Sequence, residues 1–136
     1  MYFISNRKDK EAVGGLDIYV TTKEGSTWSQ PKNLGVKVNT NLNETTVYIA
    51  PDNKTLYFSS EGHGSYGGYD VYVTTKNENG EWSQPQNLGA PINTPHHDVH
   101  FSLGKNKKAY YNTIDVKGYG SYDVFELDLS KHPLIK

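Results

Sequence analysis

This chain repeats itself, and the repeat leaves few folds open to it. Gly67-Gly68-Tyr69-Asp70-Val71-Tyr72-Val73-Thr74-Thr75 is followed by Trp82-Ser83-Gln84-Pro85-Gln86-Asn87-Leu88-Gly89. An earlier copy reads Gly14-Gly15-Leu16-Asp17-Ile18-Tyr19-Val20-Thr21-Thr22, then Trp28-Ser29-Gln30-Pro31-Lys32-Asn33-Leu34-Gly35. With one residue inserted near Asn79, residues 14–40 match residues 67–94 at 17 of 27 positions. A third, shortened copy is Gly120-Ser121-Tyr122-Asp123-Val124-Phe125, so Asp17, Asp70 and Asp123 stand 53 residues apart. A recurring unit of this size is one supersecondary module that must stack on its neighbours to bury its apolar faces.

Each unit reads as β-structure. Asp17 to Thr22 is dense in β-branched and aromatic residues and bounded by Gly-Gly and by Lys23-Glu24-Gly25, which predicts a strand in a hairpin with Tyr2 to Ser5. Trp28 and the segment Pro31 to Gly35 read as an edge element, where proline is tolerated. Thr46 to Ile49 and Leu56 to Phe58 read as strands joined by the turn Pro51-Asp52-Asn53-Lys54. The expected fold is therefore all-β: four-stranded antiparallel sheets repeating every 53–54 residues, in units of about 1–55, 56–109 and, in part, 110–136.

Along the Asp17 strand, Ile18 and Val20 face one way, and Tyr19 and Thr21 the other; Phe125, Leu127 and Leu129 fall on the Tyr19 side in the third copy. Apolar residues on both faces suit a sheet packed between two others. The third unit drifts: Asn93-Thr94 repeats Asn39-Thr40, Asp98 replaces Glu44, and Tyr110-Tyr111 reads as the counterpart of Leu56-Tyr57. No segment has the apolar spacing of an amphipathic helix.

Charge and composition narrow the function classes. The 136 residues carry 14 basic and 15 acidic side chains, net −1, so no field exists to attract nucleic acid or an anionic membrane. The absence of cysteine excludes disulfides and cysteine-ligated zinc. No apolar run approaches the ~18 residues of a membrane span, so no membrane insertion by this segment is expected. Met1-Tyr2-Phe3-Ile4-Ser5 aligns with Leu56-Tyr57-Phe58-Ser59-Ser60 and is not a signal peptide; a start in mid-repeat is expected of a segment cut from a longer array.

Several stretches mimic catalytic or ligand motifs. Gly62-His63-Gly64-Ser65-Tyr66-Gly67 matches Gly-x-Gly-x-x-Gly, but dinucleotide binding needs a helix N-terminus behind it, and Tyr69 to Val73 reads as a strand. Ser65 lies close to a nucleophile-elbow pattern and lacks the same helix. His96, Asp98 and His100, if on one strand, share a face and are the candidate metal ligands; the competing reading makes Asp98 an acceptor of backbone N–H groups. Asp17, Asp70 and Asp123 recur in every unit and are read as structural carboxylates, because a catalytic site is needed once. Trp28 and Trp82 also recur, and are read as anchors that lock one unit to the next. His63 and Tyr66 differ between units and are the candidate binding residues, with a glycan as one ligand for their rings.

Leu56-Tyr57-Phe58-Ser59-Ser60, the Gly67 to Tyr72 segment, Trp82 to Gly89, Ile92-Asn93-Thr94 and Pro51-Asp52-Asn53-Lys54 together resemble the WD40-like, TolB-type β-propeller repeat. The resemblance is closest to the version in bacterial envelope proteins that carry an OmpA-like peptidoglycan-binding domain. It implies propeller blades, a periplasmic or outer-membrane location, and a non-enzymatic scaffold that docks envelope proteins through loops such as Glu61 to Gly67 and Gly118 to Tyr122. No cofactor is expected. Two alternatives share the fold: a glycan-binding propeller and the accessory propeller of a hydrolase such as a peptidase. A propeller closes with ~4 to 8 blades, so two units and part of a third must either belong to a longer propeller or close by association of several chains.

Overall fold

At Asp17 and at Asp70 a strand begins where the aspartate collects loop N–H groups and a β-branched or aromatic run follows. The computed structural model describes residues 1–114, 118, 120–130, 132 and 133. The first strands are β1 (Tyr2–Ser5), β2 (Asp17–Val20), β3 (Lys23–Glu24), β4 (Thr27–Trp28) and β5 (Lys32–Asn33). Then come β6 (Glu44–Ile49), β7 (Thr55–Ser60), β8 (Asp70–Thr75) and β9 (Gln86–Asn87). The last are β10 (Val99–Leu103), β11 (Lys108–Thr113) and β12 (Asp123–Asp128), with a 3-10 turn at Lys105–Lys107. The chain is all-β, with no α-helix among the described residues.

Three antiparallel sheets follow one another, ordered β1-β2-β5, β6-β7-β8-β9 and β10-β11-β12, with β3-β4 as a separate hairpin. None closes on itself. Each sheet takes its first strands from before a Gly-Gly-type loop and its later ones from after it, so the sheets run out of phase with the units drawn at 1–55, 56–109 and 110–136. A period specifies length; strand pairing decides where a unit starts. The Pro51 turn forms as its residues dictate, with Asn53 N–H donating to Ala50 O at 3.0 Å and Asn53 at φ +55°.

The middle sheet is buried on both faces. Leu56, Phe58, Tyr72 and Trp82 pack with Ile18 and Val38 on one side, where Tyr2 and Ile4 of β1 join them. Tyr57, Val71 and Val73 pack with Phe101, Ala109, Tyr111 and Leu129 on the other. Each fully buried aliphatic or aromatic side chain contributes on the order of 1.5–3 kcal/mol. Burial pushes the Tyr57 phenol up to about 12.

One cross-strand pair marks the same place in every sheet. Phe3 stacks on Tyr19 at 6.0 Å, Phe58 on Tyr72 at 5.9 Å, and Tyr111 on Phe125 at 5.8 Å. This register corrects the sequence alignment of the third unit by one residue. Tyr111, opposite Phe125, is the counterpart of Phe58, and Tyr110, opposite Glu126, is that of Tyr57. Ala109, fully buried, takes the place of Leu56. Two adjacent tyrosines look alike in sequence, and only the partner strand decides which one points inward.

The Gly-Gly pairs are where the next sheet's incoming loop crosses. Gly15 N–H donates to Leu42 O at 2.9 Å, and Gly68 N–H to His96 O at 3.1 Å. A Cβ on Gly67 would lie within 2.7 Å of Thr94 O, His96 O and the Pro95 carbonyl carbon, so no larger residue fits there. No helix among the described residues is long and apolar enough to cross a membrane.

The tryptophans behave differently from each other. Trp82 is 8% exposed and meets Tyr2 edge-on at 6.1 Å, with the Lys76 ammonium 4.6 Å from its ring centre. Trp28 is 51% exposed. Anchoring between units holds for Trp82 and not for Trp28, because a sheet lies against the first and none against the second.

Candidate functional site

Most polar atoms of the repeat are engaged by the chain itself. Asp17 Oδ2 accepts from Val13 N–H at 2.7 Å and Asn33 Nδ2 at 2.9 Å, and Oδ1 accepts from Gly14 N–H at 3.1 Å. Asn33 Oδ1 accepts from Asn39 Nδ2 at 2.7 Å. Asn39 then brackets the backbone of Ile18, accepting from its N–H at 2.8 Å and donating to its C=O at 3.0 Å. The second unit repeats the circuit except at one atom: Asp70 Oδ2 takes Tyr66 N–H and Asn87 Nδ2, Asn87 Oδ1 takes Asn93 Nδ2, and Asn93 brackets Val71, but Asp70 Oδ1 is buried without a hydrogen-bond partner among the described residues. The asparagine side chains thus act as a strand where β5 and β9 have already ended. Asp123 opens β12 opposite Thr113.

A second carboxylate per junction pins the crossing loop. Glu44, fully buried, accepts from Thr40 N–H at 3.0 Å, Thr40 Oγ1 at 2.7 Å and Ser60 Oγ at 2.8 Å. Asp98, also fully buried, accepts from Thr94 N–H at 2.6 Å and from Thr94 Oγ1. Burial holds both carboxyls above their usual range, and these hydrogen bonds oppose it.

His96, Asp98 and His100 do not form the strand face that their spacing suggested. His96 lies in a bend before β10 and is exposed. His100 sits at φ +56° on a bulge that breaks the register between Val99 and Ser102, as Thr46 does at φ +40° in β6. A bulge removes the two-residue alternation on which the convergence rested. Among the described residues, no group of three or more His, Cys, Asp or Glu side chains is placed to hold a metal ion.

The Glu61 to Gly68 loop also departs from its motif readings. Ser65 Oγ lies 2.7 Å from Ser60 O and 2.8 Å from Gly62 O, and strand β8 follows, so neither an elbow nor a phosphate cradle is built. His63, a candidate for binding, is half-buried: its Nε2 bonds Val38 O at 2.8 Å, and its ring lies 5.3 Å from Tyr72 and 5.9 Å from Phe58. It packs between the second sheet and the Val38 segment of the loop that leads to β6. Tyr66 is 79% exposed, held by its backbone and free at its ring.

What remains at this end of the stack is an aromatic and acidic surface in which Tyr66 and Tyr122 lie in loops that the sequence singles out, while Tyr69 and His97 were missed by sequence reasoning. The Tyr69 ring lies 5.3 Å from His97, whose Nδ1 accepts from Tyr69 N–H at 3.1 Å. His97 stands where Asn43 stands one unit earlier, accepting from Leu16 N–H at 3.1 Å. Asn43 Nδ2 donates to Glu61 at 2.7 Å. Burial and the Glu61 carboxylate hold the Tyr69 phenol above its usual range, with Tyr122 adding in the same direction. Tyr122 is 45% exposed. Of the Gly118 to Tyr122 loop, Tyr119 lies outside the described residues. Rings, hydroxyls and one carboxylate offer stacking and hydrogen bonding.

The signal that could have found this surface was the difference between units: Tyr69 for Leu16, His97 for Asn43. No family model matches the chain, and no curated protein or solved structure matches it.

Proposed function

We propose that the three sheets are blades of a β-propeller and that the chain serves as a non-enzymatic docking scaffold of the bacterial cell envelope. The docking surface is the loop end bearing Tyr66, Tyr69, His97 and Tyr122, and its partner is an envelope protein. One observation carries the reading. The polar residues common to the units are largely engaged in the circuits and junctions described above, while the loop end carries exposed tyrosines where the first unit has aliphatic residues: Tyr66 at the position of Val13, and Tyr122, like Tyr69, at that of Leu16. Tyrosine is favoured in contact surfaces because its ring buries area and its hydroxyl stays hydrogen-bonded. The envelope location rests on the repeat motifs alone.

A photo-crosslinking residue at position 66, with a control at Asn79 at the opposite end of the sheets, tests this in cells whose periplasm and outer membrane are then separated. Adducts to one protein at 66 and none at 79 support the reading. Equal labelling at both positions overturns it. The 79% exposure of Tyr66 also favours glycan binding as a second reading. Glycan-array signal that disappears in Tyr66→Ala, without protein adducts, selects it over the first.

A further inference from the structure

The junction between the first two sheets is a template for one that the described chain leaves unmade. In that junction Lys76 Nζ donates to Tyr2 Oη at 3.0 Å and lies 4.6 Å from the Trp82 ring centre, with Leu56 and Phe58 behind. The first sheet carries the same parts on its open side. Lys23 pairs Trp28 as Lys76 bridges Trp82. Thr21 Oγ1 donates to Ser29 O at 2.7 Å, as Thr74 Oγ1 does to Ser83 O at 2.8 Å, so the two hairpins are held alike. Phe3 stands for Phe58 and Met1 for Leu56, yet Met1 is 61% and Trp28 51% exposed. Lys23 has no ion pair among the described residues.

The complementary half lies on the open side of the third sheet. Tyr110 opposite Glu126 occupies the register of Tyr2 opposite Val20, and Val124 opposite Asn112 that of Ile18 opposite Ile4. Tyr110 is 37% and Val124 70% exposed. Glu126 accepts from Tyr110 Oη at 2.7 Å and pairs with Lys108. A lysine brought to Tyr110 as Lys76 is brought to Tyr2 therefore arrives beside a carboxylate.

We infer that the open side of the first sheet, built on Lys23 and Trp28, docks the Tyr110–Val124–Glu126 side of the third sheet of a second copy, head to tail. The contact repeats the internal junction and adds charge complementarity to it. Because it joins two different faces, it is heterologous and propagates to a ring or a filament. It goes beyond the scaffold reading and stands or falls independently of it.

Sedimentation velocity on the full chain over a concentration series tests it. The wild type is expected to gain mass with concentration. Trp28→Glu, which blocks the head, and Val124→Arg, which blocks the tail, are each expected to stay monomeric, and an equal mixture of the two to form a dimer. Lys23→Glu or Glu126→Lys alone should weaken association at least tenfold, and the two together in one chain should restore it. Circular dichroism checks folding; if Trp28→Glu does not fold, Lys23→Glu replaces it in the mixture. A wild type that stays monomeric to its solubility limit overturns the inference, as does a mixture of the two blocked variants with no dimer.

Discussion

The two tryptophans offer the same substitution in two equivalent places, and the structure assigns them unequal costs. Trp82→Ala empties a site that is 8% exposed, between Tyr2, Lys76 and the Ile18–Phe58 cluster. Large aromatic-to-alanine changes in a packed core cost about 3–5 kcal/mol. The edge-on ring contact and the cation over the indole, each on the order of 1 kcal/mol, place this case in the middle of that range or above it. Trp28→Ala removes a ring that is already 51% exposed and has no neighbouring sheet, so its cost falls below about 1.5 kcal/mol. The expected gap is at least about 2 kcal/mol, a large share of the ~5–15 kcal/mol that holds a domain together.

Urea unfolding, at protein concentrations low enough to exclude self-association, measures both losses. Fluorescence gives a second readout, since these are the only two tryptophans. Emission of Trp82→Ala, from Trp28 alone, should lie to the red of emission from Trp28→Ala. Losses within about 1 kcal/mol of each other, or a larger loss at Trp28, would refute the account of the junction as the source of stability.

Two further perturbations probe the buried polar groups. Asn93→Ala leaves the buried Val71 N–H without its acceptor and breaks the bond to Asn87 Oδ1, which predicts a loss of about 2–3 kcal/mol by the same urea assay; a loss under about 0.5 kcal/mol would sink the circuit. Glu44 has a folded pKa raised above its ordinary 4.5, chiefly by burial, so its contribution to stability is complete below that value and is lost as pH rises through the raised one. Glu44→Gln cannot ionise; its one amide oxygen can keep the Thr40 and Ser60 hydroxyls, while Thr40 N–H loses its acceptor at a cost that does not vary with pH, so the stability of the wild type relative to the variant should fall as pH rises from 4.5 through the raised pKa. A difference that is flat or rising over that window contradicts the assignment. Asp98 shifts in the same direction in both proteins and cancels.

The amino-acid sequence by itself determined what depends on neighbours along the chain. Alternation in Asp17 to Thr22, the Pro51 turn, the 53-residue spacing and the two apolar faces of each strand specified repeated antiparallel strands with sheets on either side. These follow from dihedral preference and side-chain period, which are local. Whatever depended on a second sheet was decided only in the tertiary structure. Trp28 and Trp82 share a motif and differ in burial; Tyr110 and Tyr111 are adjacent and face opposite ways; the bulge at His100 undoes a face that counting by twos had drawn. Asn39 and Asn93 were visible as repeats, but their place in a circuit with Asp17 and Asp70 required strands many residues away to be brought alongside. The Tyr69–His97 contact, too, spans the junction of two sheets. Burial and pairing are properties of what lies against a residue, and in a stack of like units that depends on the presence of a neighbour rather than on the motif.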